Sequence, residues 1–166
     1  MKIKCRSYKR KYKMATDDVQ YVTFTLGANM ILTNPVDIIT EMLRYYVLAP
    51  KNYNDELLSP NNVGISLTDT ISRYETNKNT LIEVITKELT EAFRDCFLTA
   101  DSIDVGVTTE DINPYCYTLS ISPFLIINGT MYGVSKTLMS YKGNLSFVND
   151  NLSPMEWLEM LENGDL

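Results

Sequence analysis

Between residues 79 and 139 the hydrophobic rhythm of the chain switches from a period of about 3.6 to a period of two. Leu81, Ile82, Ile85, Leu89, Ala92, Phe93, Cys96 and Phe97 form one stripe at helical spacing. Immediately afterwards Ile103, Val105 and Val107 alternate with Asp104, Gly106 and Thr108. Tyr115, Tyr117, Leu119 and Ile121 alternate in the same way with Cys116, Thr118, Ser120 and Ser122. A helix with one apolar stripe and strands with one apolar face must cover each other. The fold class this dictates is α+β: a small antiparallel or mixed sheet packed against two main helices.

The second main helix is announced by Asn34-Pro35, an N-cap followed by proline at the first helical position. Ile38, Ile39, Met42, Leu43, Tyr46 and Val47 then share one face, and Ala49-Pro50 ends the helix. Before it, residues 19–26 and Met30-Ile31-Leu32 read as a hairpin-like pair around Gly27-Ala28-Asn29. Residues 51–64 form a polar loop, and Leu67, Ile71 and Tyr74 mark a short helix after Ser66. Residues 75–79 read as a polar break. Glu110-Asp111-Ile112-Asn113-Pro114 is expected as the turn between the first two alternating strands, and Asn128-Gly129 as a hairpin turn into a third strand over residues 131–139. Pro123 predicts a bulge or an edge in the second strand. Ser153-Pro154-Met155-Glu156 has capping-box spacing and opens a short C-terminal helix bearing Trp157, Leu158 and Leu161. That helix either folds back on the body or anchors another chain. The expected organisation is a flexible basic arm (1–18), a single α+β domain (19–140) and a C-terminal extension (141–166).

Charge is distributed unevenly. Of fifteen basic residues, seven (Lys2, Lys4, Arg6, Lys9, Arg10, Lys11 and Lys13) lie in the first thirteen positions, while the whole chain carries a net charge of −6. A basic arm on an acidic body grips nucleic acid, docks on an acidic neighbour or remains solvated. Tyr8 and Tyr12 are sparse interleaving, so nucleic acid is not the favoured partner. Apolar runs such as Phe124-Leu125-Ile126-Ile127 are far too short for a bilayer, so no membrane partner is expected. Neither is a secretory signal, because no apolar core follows the basic start.

The sequence contains no histidine, which removes histidine-based acid–base catalysis, Ser–His–Asp and Cys–His nucleophiles, and histidine metal sites. Cys5, Cys96 and Cys116 lack metal-binding spacing and read as reduced thiols of a protein made in a cytosol. Glu83, Glu88 and Glu91 invite an acid–base reading, but Glu83 lies four residues before Lys87 and Glu91 four before Asp95, as on an ordinary solvated helix. The seven glycines are scattered and cradle no phosphate. Eleven tyrosines either fill strand faces or, where exposed, form a contact surface; of Tyr45 and Tyr46, one is expected to face the core. No catalytic residue, cofactor or metal is expected, and the chain reads as a contact module rather than an enzyme.

The order of hairpin, capped helix (NPVDIITEMLRYYVLAP, 34–50), polar loop and short helix (KNYNDELLSPNNVGISLTDTI, 51–71), long helix into strand (TLIEVITKELTEAFRDCFLTADSIDVGVTT, 80–109) and second strand (YCYTLSISPFLI, 115–126) resembles the sheath-initiating baseplate wedge proteins of contractile phage tails, which have relatives in type VI secretion. The resemblance covers residues 19–139. Many members carry Glu-Pro-Arg where this chain has Leu98-Thr99-Ala100-Asp101. The resemblance implies a virion baseplate protein, made in the host cytoplasm, that links wedge proteins to the first sheath ring and templates sheath assembly by strand addition. On the sheath side it points to the strands bearing Ile103, Val105, Val107, Tyr115, Tyr117, Leu119 and Ile121. On the wedge side it points to Tyr45, Tyr53, Leu57, Leu58 and Tyr74. Trp157, Leu158 and Leu161 would be a further anchor, and the basic arm would meet the tail tube or an acidic neighbour. The alternatives are another virion connector, such as a tail-completion or neck protein, and a nucleic-acid-binding module using the arm.

Overall fold

A computed structural model describes residues 23–25, 28–48, 66–141, 144–148 and 153–163. The basic arm therefore lies outside the described residues. β1 (Thr23–Thr25) and β2 (Ala28–Leu32) form a separate antiparallel pair. α1 (Pro35–Leu48) follows, with Asn34 Oδ1 accepting the Val36 N–H at 3.0 Å, so the Asn-Pro signal is used as expected. After α2 (Leu67–Tyr74) comes α3 (Lys78–Cys96), whose N-cap is Asn77: its side chain accepts from the Thr80 N–H. The polar break expected at 75–79 thus holds the cap and first turn of the long helix.

The main sheet has five antiparallel strands: β3 (Ser102–Asn113), β4 (Cys116–Ile127), β5 (Thr130–Gly133), β6 (Lys136–Tyr141) and β7 (Asn144–Phe147). Its order is β3-β4-β6-β7, with β5 beside β6 on β4. The fold is α+β, with α4 (Pro154–Asn163) closing the described chain. Asn128 and Gly129 both have positive φ, the two-residue turn that Asn-Gly favours.

Four local expectations are corrected. β3 runs through Glu110 and Asp111 to Asn113, and the turn is Pro114-Tyr115, with Asn113 Oδ1 accepting the Tyr115 N–H. The third strand is two strands, β5 and β6, although both keep one register against β4. Pro123 explains the break. Its carbonyl accepts from Val134 N at 3.2 Å, but it has no N–H to return, so the ladder lapses there while β4 continues through. Pro123 thus sits in a central strand. Finally, β6 extends to Tyr141 and β7 adds to it, carrying the sheet past the boundary at 140.

The inner face, with Val105, Val107, Leu119, Ile121, Leu125 and Leu138, meets the buried stripes of α1 and α3. The outer face is not left bare: Cys116 and Met139 are covered by Leu158 of α4, with Trp157 and Leu161 around them. The capping box is formed, Glu156 accepting the Ser153 N–H at 2.7 Å and Ser153 Oγ accepting the Glu156 N–H.

Gly133 sits beneath the Phe124 ring; a Cβ there would lie 2.8 Å from Phe124 Cδ1. Phe124 is partly exposed and can swing aside. Gly133→Ala is therefore expected to lower unfolding free energy by about 1 kcal/mol, measured by urea denaturation.

Candidate functional site

The sheet leaves one long edge. β3 pairs with β4 along its length, from Ser102↔Ile126 to Asn113↔Cys116, and no described strand pairs with its other side. The proline sets the phase of that edge. Because the Pro123 carbonyl turns toward Val134, its partner Val105 is in a non-hydrogen-bonded pair with it. The N–H and C=O of Val105 therefore point outward, and by alternation so do those of Ile103, Val107 and Thr109. The side chains of these same four residues face inward, toward α3.

α3 packs over β3, whereas α1 lies toward β5, with Leu43 and Leu48 lining a groove beside Lys136 and Phe147. Glu88 marks the flank of α3 that faces α1 and α2. Half-buried Ile82 lies about 120° round the helix from Glu88, on the flank away from α1 and α2 and hence on the side of the β3 edge. A strand added there would place alternate side chains beneath that flank. Exposed Asp104, Glu110 and Asp111 and the register shift before Asn113 are the usual restraints on uncontrolled edge pairing.

The residues expected to meet sheath fall into two groups. Val105, Val107, Tyr117, Leu119 and Ile121 are buried in the core, and Ile103 is half-buried against it, so their side chains are used within the domain. Tyr115 is 74% exposed, but on the turn rather than a strand. β4 is already paired on both sides, which removes it as a docking edge and leaves β3. Among the wedge candidates, Tyr45 is buried, and so is its neighbour Tyr46, correcting the expectation that only one of the two faces the core; α2 packs on a second side of α1, and Glu88 of α3 reaches it through Tyr46. Tyr74 is half-buried against the core. Tyr53, Leu57 and Leu58 lie outside the described residues. Leu158 is buried, and Trp157 Nε1 donates to Ser146 Oγ at 3.2 Å, so the helix expected as a possible anchor is folded back on its own sheet.

Glu83 and Glu91 are exposed, but Glu88 joins three helices. It accepts from Tyr46 Oη at 2.7 Å and from Thr70 Oγ1 at 3.0 Å. Burial raises its pKa, and the two hydroxyl donors oppose that rise. Tyr46 is held well above its ordinary value by burial, reinforced by the Glu88 carboxylate. Sequence spacing missed this clamp because its partners lie 18 and 42 residues away. Its chemistry is that of a helix junction. No described helix is long and apolar enough to cross a membrane. Comparison with known protein families, with curated proteins and with solved structures finds no match for this chain.

Proposed function

We propose that this protein is a structural component of a contractile-tail baseplate that receives an extended arm of a sheath subunit along the outer edge of β3 and joins it to wedge proteins. The observation that carries this reading is the long β3 edge that no described strand pairs, with outward backbone groups at Ile103, Val105, Val107 and Thr109. The order of elements over residues 19–139 supplies the baseplate context. An arm of alternating apolar residues suits the edge, because one side of it would lie beneath α3. The wedge contact then falls to the exposed side of α1, where Leu48 is 56% exposed.

Purified sheath and wedge proteins mixed with this protein should show nucleated sheath polymerisation. Equal assembly without it would remove the initiator role. Two neighbouring substitutions locate the edge. Thr109→Pro deletes an outward N–H and should weaken sheath docking roughly three- to tenfold while the domain stays folded, the worth of one backbone hydrogen bond. Thr108→Pro deletes an N–H given to β4 and should destabilise the sheet itself. Undiminished docking by a folded Thr109→Pro variant would place the sheath contact elsewhere.

A further inference from the structure

Beside the β3–β4 turn, the end of α2, the first residue of α3 and the hairpin border an open cavity of about 500 Å³. Glu75, Lys78, Asp111, Tyr115 and Tyr117 contribute to its lining. Lys78 Nζ sits 3.0 Å above the centre of the Tyr117 ring and 4.0 Å from Asp111 Oδ1. Tyr117 itself is only 4% exposed; its hydroxyl makes no hydrogen bond of good geometry, and Ser140 and Glu75 are the polar side chains that face it. A buried hydroxyl so weakly held beside a polar cavity can be satisfied by a donor that enters it. Burial raises the pKa of that phenol, so it keeps its proton at neutral pH and still offers an acceptor lone pair. Two carboxylates, Glu75 and Asp111, face one ammonium. The cavity already holds a cation against an aromatic face and retains one negative charge in excess.

We propose that this cavity binds a guanidinium group, presented as an arginine side chain of another protein chain. The planar fork of guanidinium donates to carboxylates in pairs, which suits Glu75 and Asp111 at the rim. A further N–H can be accepted by the Tyr117 hydroxyl, and the exposed Tyr115 ring offers a stacking face. The inference goes beyond strand docking on β3 and stands without it, since it uses the polar end of the hairpin rather than the backbone edge. Arg6 and Arg10 of this chain carry the same chemistry, so the test must separate the two sources.

The test is a titration of the full chain with N-acetyl-arginine amide, followed by NMR of the amides of residues 75–78 and 111–117. Saturable shifts confined to those residues are expected, with none from the uncharged isostere N-acetyl-citrulline amide. E75Q/D111N should weaken binding about fivefold, as two exposed ion pairs are lost. K78M removes the resident cation and should tighten binding about threefold; both variants alter partly exposed side chains, and unchanged shifts elsewhere report the intact fold. No saturation, equal response to citrulline, or weaker binding by K78M would overturn the proposal. R6Q/R10Q decides the source: unchanged probe affinity assigns the cavity to a partner chain. Tighter probe binding by that variant would mean that this chain's own terminus fills the cavity, overturning the partner.

Discussion

Phe93→Ala is expected to lower the free energy of unfolding by about 3–5 kcal/mol, the range for deleting a fully buried aromatic side chain. Phe93 is 0% exposed on the inner side of α3, and its ring lies 6.4 Å from that of Phe97, tilted by 40°. Phe97, the C-cap residue of α3, is itself buried where the chain turns toward β3. Removing the ring empties the junction between the long helix and the strand it covers, and close-packed neighbours relax only partly into such a void. The same change should loosen the β3 edge, because α3 is the element that packs on that strand. Urea denaturation supplies the measurement, and Leu98→Ala supplies the control. Leu98 is exposed and adjacent in sequence, so its truncation should change stability by no more than about 0.5 kcal/mol. A loss below about 1 kcal/mol for Phe93→Ala would mean that α3 is not seated on the sheet as described.

That junction is also where the sequence is most legible, because local chemistry and long-range packing agree there. The stripe from Leu81 to Phe97 and the alternation from Ile103 to Val107 each need a cover, and each is the other's nearest apolar surface. The Asn34-Pro35 start of α1 was readable for a similar reason: cap and fixed φ act within one turn. Short-range signals also misled. Glu110 and Asp111 look like turn residues, yet they extend β3 because β4 supplies partners for their backbone as far as Asp111↔Tyr117. β7 has no alternation long enough to announce a strand and exists through its pairing with β6, from Leu138↔Phe147 to Tyr141↔Asn144. Pro123 signals a bulge or an edge in the second strand, but β4 runs through it in the centre of the sheet, and the gap appears instead on the β5–β6 side, where its missing donor points.

The candidate site was less legible than the fold. Alternation identifies Tyr117 as inward-facing, but nothing in its neighbours places Lys78, 39 positions earlier, over its ring. Which edge stays unpaired is a property of topology. β3 and β4 carry similar alternating patterns, yet only β4 acquires partners on both sides. A free edge is thus decided by the return of β5 and β6 along β4, a consequence of the Asn128-Gly129 turn rather than of any feature in β3.

Tyr46→Phe is expected to destabilise the domain by about 1.5–3 kcal/mol at pH 7, the cost of losing a hydrogen bond to a charged partner. Phenylalanine keeps the ring volume in a fully buried position but strips the 2.7 Å donor from Glu88, leaving Thr70 to hold the carboxylate. The pH dependence separates this from simple packing loss. Burial raises the folded pKa of Glu88 above its ordinary 4.5, so the folded state holds that proton more tightly than the unfolded chain does. Its favourable contribution is complete below about pH 4.5 and is lost as pH rises through the raised value. Asp69 pushes the same way and Arg73 opposes, the two being paired with each other at 2.8 Å. Tyr46→Phe removes an influence that lowers the pKa, so Glu88 should titrate still higher in the variant. The destabilisation should therefore be larger at pH 7, where a carboxylate loses its donor, than at pH 4, where a neutral carboxyl does. Glu88→Gln should flatten this component of the pH profile in both backgrounds, because no charge remains to be buried. Urea melts of the four proteins at pH 4 and pH 7 read all of these differences. An equal loss for Tyr46→Phe at the two pH values would show that the hydroxyl serves packing around α1 and not the charge of Glu88.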